Sequence, residues 1–352
     1  MKKIYILILL GLIFLGLGIY KIGEPKEDKK ESPFYEKSLH YYARGMAYWY
    51  NKENGGIEQL TGIPYDKLIC SDCHAKTCDT CHKIEKNGEL KYSIEAAKNI
   101  ETCLKCHKRQ KIILELIKNQ KEPDVHFSKG MKCMDCHTAR EMHGDGKEYN
   151  YSREKEAMDT KCEKCHPQVP DIVSHKIHKD KLHCSACHVR QVVTCANCHM
   201  DTLIKEGKRF SIPLHGWVFL INYEGKIVSG NIQTFVVNKN QTFVIFAPYY
   251  SHDVVKKGKI CEDCHASEHI NKIKEGSLVL TYIKEGKLEN IKGVIPIVEG
   301  VEYINAYMDY KDGKWIPLEN PQKPLIQFVA SGKPLTKDQF QRLSIPFTMK
   351  NQ

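Results

Sequence analysis

All the cysteines of this chain follow one pattern, which limits how the chain can fold. The 352 residues include 16 cysteines and 17 histidines, and every cysteine belongs to a Cys-x-x-Cys-His unit. Random placement of the same residues would give about 0.04 such units. Numbered 1 to 8 in chain order, the units are Cys70-Cys73-His74, Cys78-Cys81-His82, Cys103-Cys106-His107, Cys133-Cys136-His137, Cys162-Cys165-His166, Cys184-Cys187-His188, Cys195-Cys198-His199 and Cys261-Cys264-His265.

This spacing fits the covalent attachment of haem. Two thiols three residues apart can add to the two vinyl groups of one porphyrin, and the histidine that follows then lies under the iron as its proximal ligand. Zinc sites use Cys-x-x-Cys pairs but require no histidine after each pair. Thioredoxin-like redox motifs do not occur in eight copies. The sequence therefore predicts eight covalently attached c-type haems, with the eight unit histidines as proximal iron ligands.

On these motifs the chain resembles the multihaem c-type cytochromes, and with eight units it looks like an octahaem cytochrome. The resemblance covers residues 70–199 and again 261–265. Residues 70–199 contain seven units, about one per nineteen residues, and segments that short cannot form a conventional core. The resemblance thus implies a fold of short helices and loops around the haems, with little regular structure.

Nine histidines lie outside the units, enough to give every iron a second histidine ligand. His175 and His178 form an H-x-x-H pair before unit 6, similar to the pair that ligates two different haems in the cytochrome c3 and c7 families. One extra residue before Cys184 departs from that pattern, so the haem that each histidine serves stays open. His183, adjacent to Cys184, is expected to be the spare. The predicted distal ligands are His40, His126, His143, His175, His178, His215, His252 and His269.

The start of the chain predicts a membrane anchor. Residues 4–20 form an uncharged apolar run after Lys2 and Lys3. As a helix this run would be about 26 Å long, near the lower limit for a bilayer core of about 30 Å. The two lysines favour a cytoplasmic N-terminus. The prediction is a cytoplasmic tail at 1–3, a transmembrane signal anchor at 4–20, and an extracytoplasmic protein held at the cytoplasmic membrane. Cleavage of the run as a signal peptide would instead release the protein.

The remaining organisation follows from composition. Residues 21–38 are charged with mixed sign and predict a solvated linker. After Met200 the chain becomes rich in β-forming residues, with turn signals at Glu224-Gly225 and Asp312-Gly313. We therefore predict a seven-haem domain at 39–204 and a β-rich region at 205–352 that carries the eighth haem, for an α+β fold overall.

The net charge of +10 does not by itself indicate nucleic-acid binding. Each oxidised haem with two neutral histidines and two propionates contributes about −1, so eight haems would offset most of the positive charge. No basic stripe or nucleic-acid-binding motif is evident in the sequence, so no nucleic-acid partner is expected.

Three functions fit the sequence. The preferred hypothesis is electron transfer to redox protein partners through closely spaced, low-potential haems with two histidine ligands, without a catalytic residue. The second is an oxidoreductase acting on a small nitrogen or sulfur oxyanion at one haem with an open position. All eight units end in histidine, whereas some such enzymes carry lysine at the catalytic haem. The third is an anchor cytochrome that oxidises quinol from the quinone pool. The oligomeric state is left open.

Overall fold

The computed structural model describes residues 34–42, 44–70, 74–118, 120–238 and 240–346. The tail at 1–3, the anchor at 4–20 and the linker up to residue 33 therefore lie outside the described residues. Among the described residues, no helix is both long enough and apolar enough to cross a membrane. This finding corrects the prediction of a transmembrane signal anchor, and with it the predicted location at the cytoplasmic membrane.

The helices are short, and local side-chain caps set several of their ends. Ser93, Asn99 and Thr138 each accept a backbone N–H in the first turn of the helix that follows. The α-helices are α1 (Arg44–Tyr50), α2 (Glu58–Thr61), α3 (Asp79–His82), α4 (Ile94–Lys98), α5 (Ile100–Leu104), α6 (Lys108–Lys118), α7 (Cys133–Cys136), α8 (Ala139–His143), α9 (Cys162–Cys165), α10 (Val173–His178), α11 (Cys184–His188), α12 (Met200–Glu206), α13 (Cys261–Cys264), α14 (Glu268–Lys274) and α15 (Lys337–Leu343).

Most strands belong to the C-terminal half. Residues 216–222, 231–238 and 242–247, which are rich in β-forming residues, fall largely within three long strands. The strands are β1 (Lys83–Lys86), β2 (Glu89–Tyr92), β3 (Val192–Ala196), β4 (Cys198–His199), β5 (Ile212–Tyr223), β6 (Lys226–Val236), β7 (Thr242–Pro248), β8 (Ser277–Val279), β9 (Thr281–Lys284), β10 (Lys287–Asn290), β11 (Gly293–Pro296), β12 (Glu302–Ile304), β13 (Met308–Lys311), β14 (Lys314–Pro317), β15 (Leu325–Phe328) and β16 (Gly332–Lys333).

One eight-stranded sheet organises this half. Its main path runs β11-β5-β6-β7-β15, with β3 and β16 also paired to β5 and with β4 paired to β6. The turn between β5 and β6 has Glu224 at φ 50° and Gly225 at φ 84°, as a type I′ hairpin requires. The largest apolar cluster lies on this sheet and includes the fully buried Trp217, Phe219 and Phe246.

Strands β3 and β4 come from the region before residue 205 and are built into the sheet. The hydroxyl of Thr194 donates to the side-chain oxygen of Asn231 at 2.5 Å, and the indole N–H of Trp217 donates to Thr194 at 3.1 Å. All described residues from Phe34 onward belong to one compact unit. The boundary predicted between 204 and 205 therefore falls inside that unit, because strand pairing crosses it.

The part of the chain that carries most units has almost no apolar core of its own. Between residues 74 and 186, the described residues contain six buried apolar side chains: Ala75, Leu104, Ile113, Ile117, Ala157 and Ala186. The residues after 186 supply the continuous cluster on the sheet. The two halves therefore differ in what can hold them together, because a protein interior normally needs contiguous buried apolar surface.

A buried carboxylate lies in a loop of the second half that is also hydrogen-bonded to the first half. The side chain of Asp253 is fully buried, and its two oxygens accept hydrogen bonds from the guanidinium of Arg190 at 2.5 and 3.1 Å. The side-chain amide of Gln191 donates to the same carboxylate at 2.9 Å. On the neighbouring residue, the backbone N–H of Val254 donates to Asp124 at 2.7 Å. These bonds fix the loop at residues 252–255.

Removing this carboxylate should destabilise the fold. We expect Asp253→Ala to lower the free energy of unfolding by about 3 kcal/mol, because the buried side of Arg190 loses its charge partner. Asp66→Ala is the control, since Asp66 is largely exposed and lies 3.9 Å from Lys67, and it should change the stability by less than about 0.5 kcal/mol. Urea denaturation midpoints measure both. Equal midpoints for the two variants would contradict the role of Asp253.

Candidate haem-binding sites

Six units fold as one helical turn within the described residues, and Cys73 of unit 1 lies outside those residues. In units 2, 3, 4, 5 and 8 the histidine backbone N–H donates to the carbonyl oxygen of the first cysteine at 2.7–3.0 Å. Unit 6 forms α11 in its entirety. One turn of helix brings residues three and four apart to the same face, so each of these units can present two thiols and one imidazole together.

In the same six units, the imidazole faces a second histidine from elsewhere in the chain. The centroids of the paired rings are His40 to His107 at 6.3 Å, His82 to His143 at 6.1 Å, His126 to His166 at 6.1 Å, His137 to His252 at 6.3 Å, His175 to His188 at 6.2 Å, and His178 to His265 at 6.2 Å. Each pair contains one unit histidine and one of the predicted distal histidines.

The spacing is too large for ring stacking but suits a metal ion between the rings. A histidine nitrogen binds a metal at about 2 Å and lies about 1 Å from its ring centre, so two rings on opposite sides of one ion have centroids about 6 Å apart. The narrow range of the six distances, 6.1–6.3 Å, matches this expectation.

The H-x-x-H pair serves two sites. On α10, His175 faces His188 of unit 6 and His178 faces His265 of unit 8. The Nδ1 atom of His175 donates to the carbonyl oxygen of Pro170 at 2.8 Å, and that of His178 donates to Ser174 at 2.9 Å. A carbonyl can only accept, so Nδ1 carries the proton and the Nε2 lone pair is left for a metal.

The proximal rings are oriented in the same way. His188 donates from Nδ1 to the carbonyl oxygen of Val255 at 2.9 Å, and His265 donates to that of Arg342 at 3.1 Å. Such outer hydrogen bonds fix the tautomer and the ring plane of metal-ligating histidines.

Unit 4 uses a carboxylate instead of a carbonyl. The Nδ1 atom of His137 lies 2.7 Å from Oε2 of Glu141, whose side chain is buried. Burial acts to raise the pKa of Glu141, but hydrogen bonds from His137 and Thr160 outweigh it and hold that pKa below its ordinary value. Glu141 was not among the site residues predicted from the sequence. Its position four residues after a unit histidine was the available signal, although His137 and Thr138 form an extended link before the helix that carries Glu141.

Two distal histidines are held neutral. Burial, and then repulsion by His107, lowers the pKa of His40 to about 4. Burial, and then repulsion by His137, lowers the pKa of His252 to about 4. A neutral imidazole is the form that binds a metal, so burial favours the ligating state of both rings.

Three other histidines are not brought to a unit histidine. The ring of His183 stacks on Tyr250 with centroids 4.5 Å apart, and its Nδ1 accepts the backbone N–H of Ser185. His269 donates from Nδ1 to the carbonyl oxygen of Val294 at 3.0 Å. His215 is exposed on β5. For His215 and His269, the structure therefore provides no facing ring among the described residues.

The thiols place six of the units in a spatial order. The thiols of Cys103 and Cys133 are hydrogen-bonded to each other, as are those of Cys162 and Cys184. Electrostatic contacts between cysteines connect unit 2 to unit 3, unit 4 to unit 5, and unit 6 to unit 8. The resulting order is 2, 3, 4, 5, 6 and 8, so each site lies beside the next.

Units 1 and 7 differ from the other six. The imidazole of His74 is hydrogen-bonded to the backbone of Leu39 and His40, and no histidine ring faces it within the described ranges. His199 is bonded to Asp309 at 2.6 Å. Cys70 of unit 1 lies within electrostatic range of Cys198 in unit 7.

No group of three or more histidine, cysteine, aspartate or glutamate side chains in the described part of the chain could hold a metal ion. The prediction that this chain binds a metal is therefore wrong for a site made of protein side chains alone. Haem iron is a different case, because the porphyrin supplies four nitrogens and the protein supplies the two axial ligands. The residues of units 2 to 6 and 8 fit that requirement.

The chain matches no known family model, and no curated protein or solved structure is significantly similar to it.

The facing rings generate a direct test. We expect His178→Ala to convert one haem to the high-spin form, because His265 and two thioethers hold the macrocycle while its sixth ligand is lost. Visible absorption and electron paramagnetic resonance of the oxidised protein measure the spin state, and intact mass measures attachment. His183→Ala is the control and should leave the spectrum unchanged. An unaltered His178→Ala spectrum would contradict the pairing.

Proposed function

We propose that this chain is a multihaem c-type cytochrome that transfers electrons between redox protein partners. The observation that carries the proposal is the set of six facing histidine pairs at 6.1–6.3 Å, each beside two cysteines. When bound, haem supplies a reversible one-electron couple at each site. With a histidine on each side, iron held at these six sites would keep no position for a substrate.

The missing apolar core supports the proposal. Before unit 6, Val169, Ile172 and Val173 are 60%, 50% and 47% exposed, although they flank the H-x-x-H pair. Contiguous exposed apolar side chains indicate a surface that another apolar body covers. A haem macrocycle beside each unit would cover such residues and would supply the interior that residues 74–186 lack.

The order of the sites supports electron transfer rather than isolated cofactors. Cysteines of successive units lie in contact or within electrostatic range, so macrocycles attached to them would lie beside one another along units 2, 3, 4, 5, 6 and 8. Unit 2 and unit 8 stand at the two ends. The chain's role is to fix ring planes at units 4, 6 and 8 through outer hydrogen bonds, and to keep His40 and His252 neutral by burial.

Isolation of the loaded protein tests the proposal. After expression with a c-type haem maturation system, we expect an intact mass of the polypeptide plus at least six haems, and a low-spin spectrum in both oxidation states. In stopped-flow experiments, all haems should be reduced in a single kinetic phase, because neighbouring sites exchange electrons. A bare polypeptide mass would contradict the proposal.

The carboxylate at unit 4 should lower the reduction potential of its haem. The negative charge of Glu141 strengthens His137 as a ligand of ferric iron. We expect Glu141→Gln to raise one potential by about 59 mV, which corresponds to a tenfold change for a one-electron couple. Spectroelectrochemical titration measures it. Glu148→Gln is the control, because Glu148 is exposed and pairs with Arg44 at 2.8 Å. A shift of similar size in both variants, or in neither, would contradict the assignment.

A second function is favoured by one observation at unit 1. Within the described ranges no histidine ring faces His74, so a haem there would keep an open position for a small ligand. The oxidoreductase hypothesis requires such a site. Titration of the reduced protein with nitrite, hydroxylamine or sulfite would reveal it as a change at one haem, and the absence of any change would reject this second function.

A further inference from the structure

We infer that unit 7, Cys195–His199, is a structural part of the sheet and carries no haem, so the chain binds fewer haems than it has Cys-x-x-Cys-His units. This inference rests on the proposed function, because it concerns which units are loaded. The residues present at unit 7 do not fit the group that the sequence predicts there. Backbone pairing, side-chain bonds and burial support this independently.

The backbone of unit 7 is extended. Cys195 pairs with Pro213 on β5, and Cys198 pairs with Phe235 on β6. The backbone N–H of His199 donates to the carbonyl oxygen of Phe210 at 3.0 Å. In units 2, 3, 4, 5 and 8, the backbone N–H of the histidine instead donates to the carbonyl oxygen of the first cysteine. The helical turn that aligns two thiols with one imidazole is therefore absent from unit 7.

Buried polar contacts hold this conformation. Asn197, between the two cysteines, has φ 51° and is fully buried. Its backbone N–H donates to the hydroxyl of Thr234 at 2.8 Å, and that hydroxyl donates to the Asn197 side-chain oxygen at 3.0 Å. Asparagine tolerates this left-handed conformation better than most residues. Folding unit 7 into a helical turn would break these bonds and leave Thr234 and Asn197 buried without partners.

The histidine of unit 7 has no nitrogen left for iron. The Nδ1 atom of His199 accepts the backbone N–H of Thr202 at 3.3 Å, so in the neutral ring the proton lies on Nε2. That nitrogen donates to Oδ1 of Asp309 at 2.6 Å. Among the described residues, none of the six paired unit histidines has a hydrogen bond at Nε2, and their rings face a second imidazole instead. The hydrogen bonds of His199 join the start of α12 to β13.

The second thiol of unit 7 is enclosed. Cys198 is 2% exposed and packs in a cluster with Met200, Leu203 and Phe243. A macrocycle attached to Cys198 would have to displace this cluster. By contrast, Cys162 and Cys165 of unit 5 are exposed.

Peptide mapping of the loaded, full-length protein tests the inference. Trypsin cleaves after Lys181, Arg190 and Lys205, which puts unit 6 on peptide 182–190 and unit 7 on peptide 191–205. The two peptides are adjacent and come from one digest, so unit 6 is a matched control. After reduction and treatment with iodoacetamide, we expect haem on peptide 182–190 and two alkylated cysteines on peptide 191–205.

The outcomes separate this inference from the proposed function. Haem on peptide 191–205 would overturn the inference and leave the cytochrome proposal in place. Haem on neither peptide, with a bare intact mass, would remove the proposed function itself. As a second measurement, Cys195→Ala with Cys198→Ala should keep the parent's haem count, whereas Cys162→Ala with Cys165→Ala should lose one haem. The peptide map needs no variant, so it decides the question even if the first double variant does not fold.

Discussion

The facing pairs of histidine rings are places where separate segments of the chain meet, and a metal ion between the rings would link those segments. The described residues between 74 and 186 bury six apolar side chains, too few to hold their short helices and loops together. The ring pairs join His40 to unit 3, His143 to unit 2, and His252 to unit 4. With iron between the rings, each pair would replace many ordinary side-chain contacts.

The sheet gives this arrangement a rigid base. Its apolar cluster is continuous and well enclosed, and β3 enters it directly after unit 6. The loop after β7 then returns His252 to unit 4, with Asp253 held by Arg190. A distal ligand is useful only if its position is fixed, and here a buried ion pair beside the ligand fixes it. The β-rich half thus positions ligands for sites outside it.

The sequence could indicate which histidines were available as ligands, because position near a unit is visible in the chain. It could not indicate which rings meet, because each meeting depends on tertiary contacts such as that between His137 and His252. The strands after residue 205 were predictable from β-forming residues and turn signals such as Asp312-Gly313. The conformation of unit 7 was not, because its motif letters are identical to those of its neighbours. Its pairing with β5 and β6, and the buried contacts that this pairing allows, distinguish it.

The loop at residues 252–255 supports two sites at once. His252 faces His137 of unit 4, and three residues later the carbonyl oxygen of Val255 holds the ring of His188 in unit 6. Units 4 and 6 are not neighbours in the spatial order, since unit 5 lies between them. A displacement of this one loop would therefore change the histidine geometry at two non-adjacent units together. The loop is thus a mechanical link between units 4 and 6, and changes at these two units would be correlated without passing through unit 5.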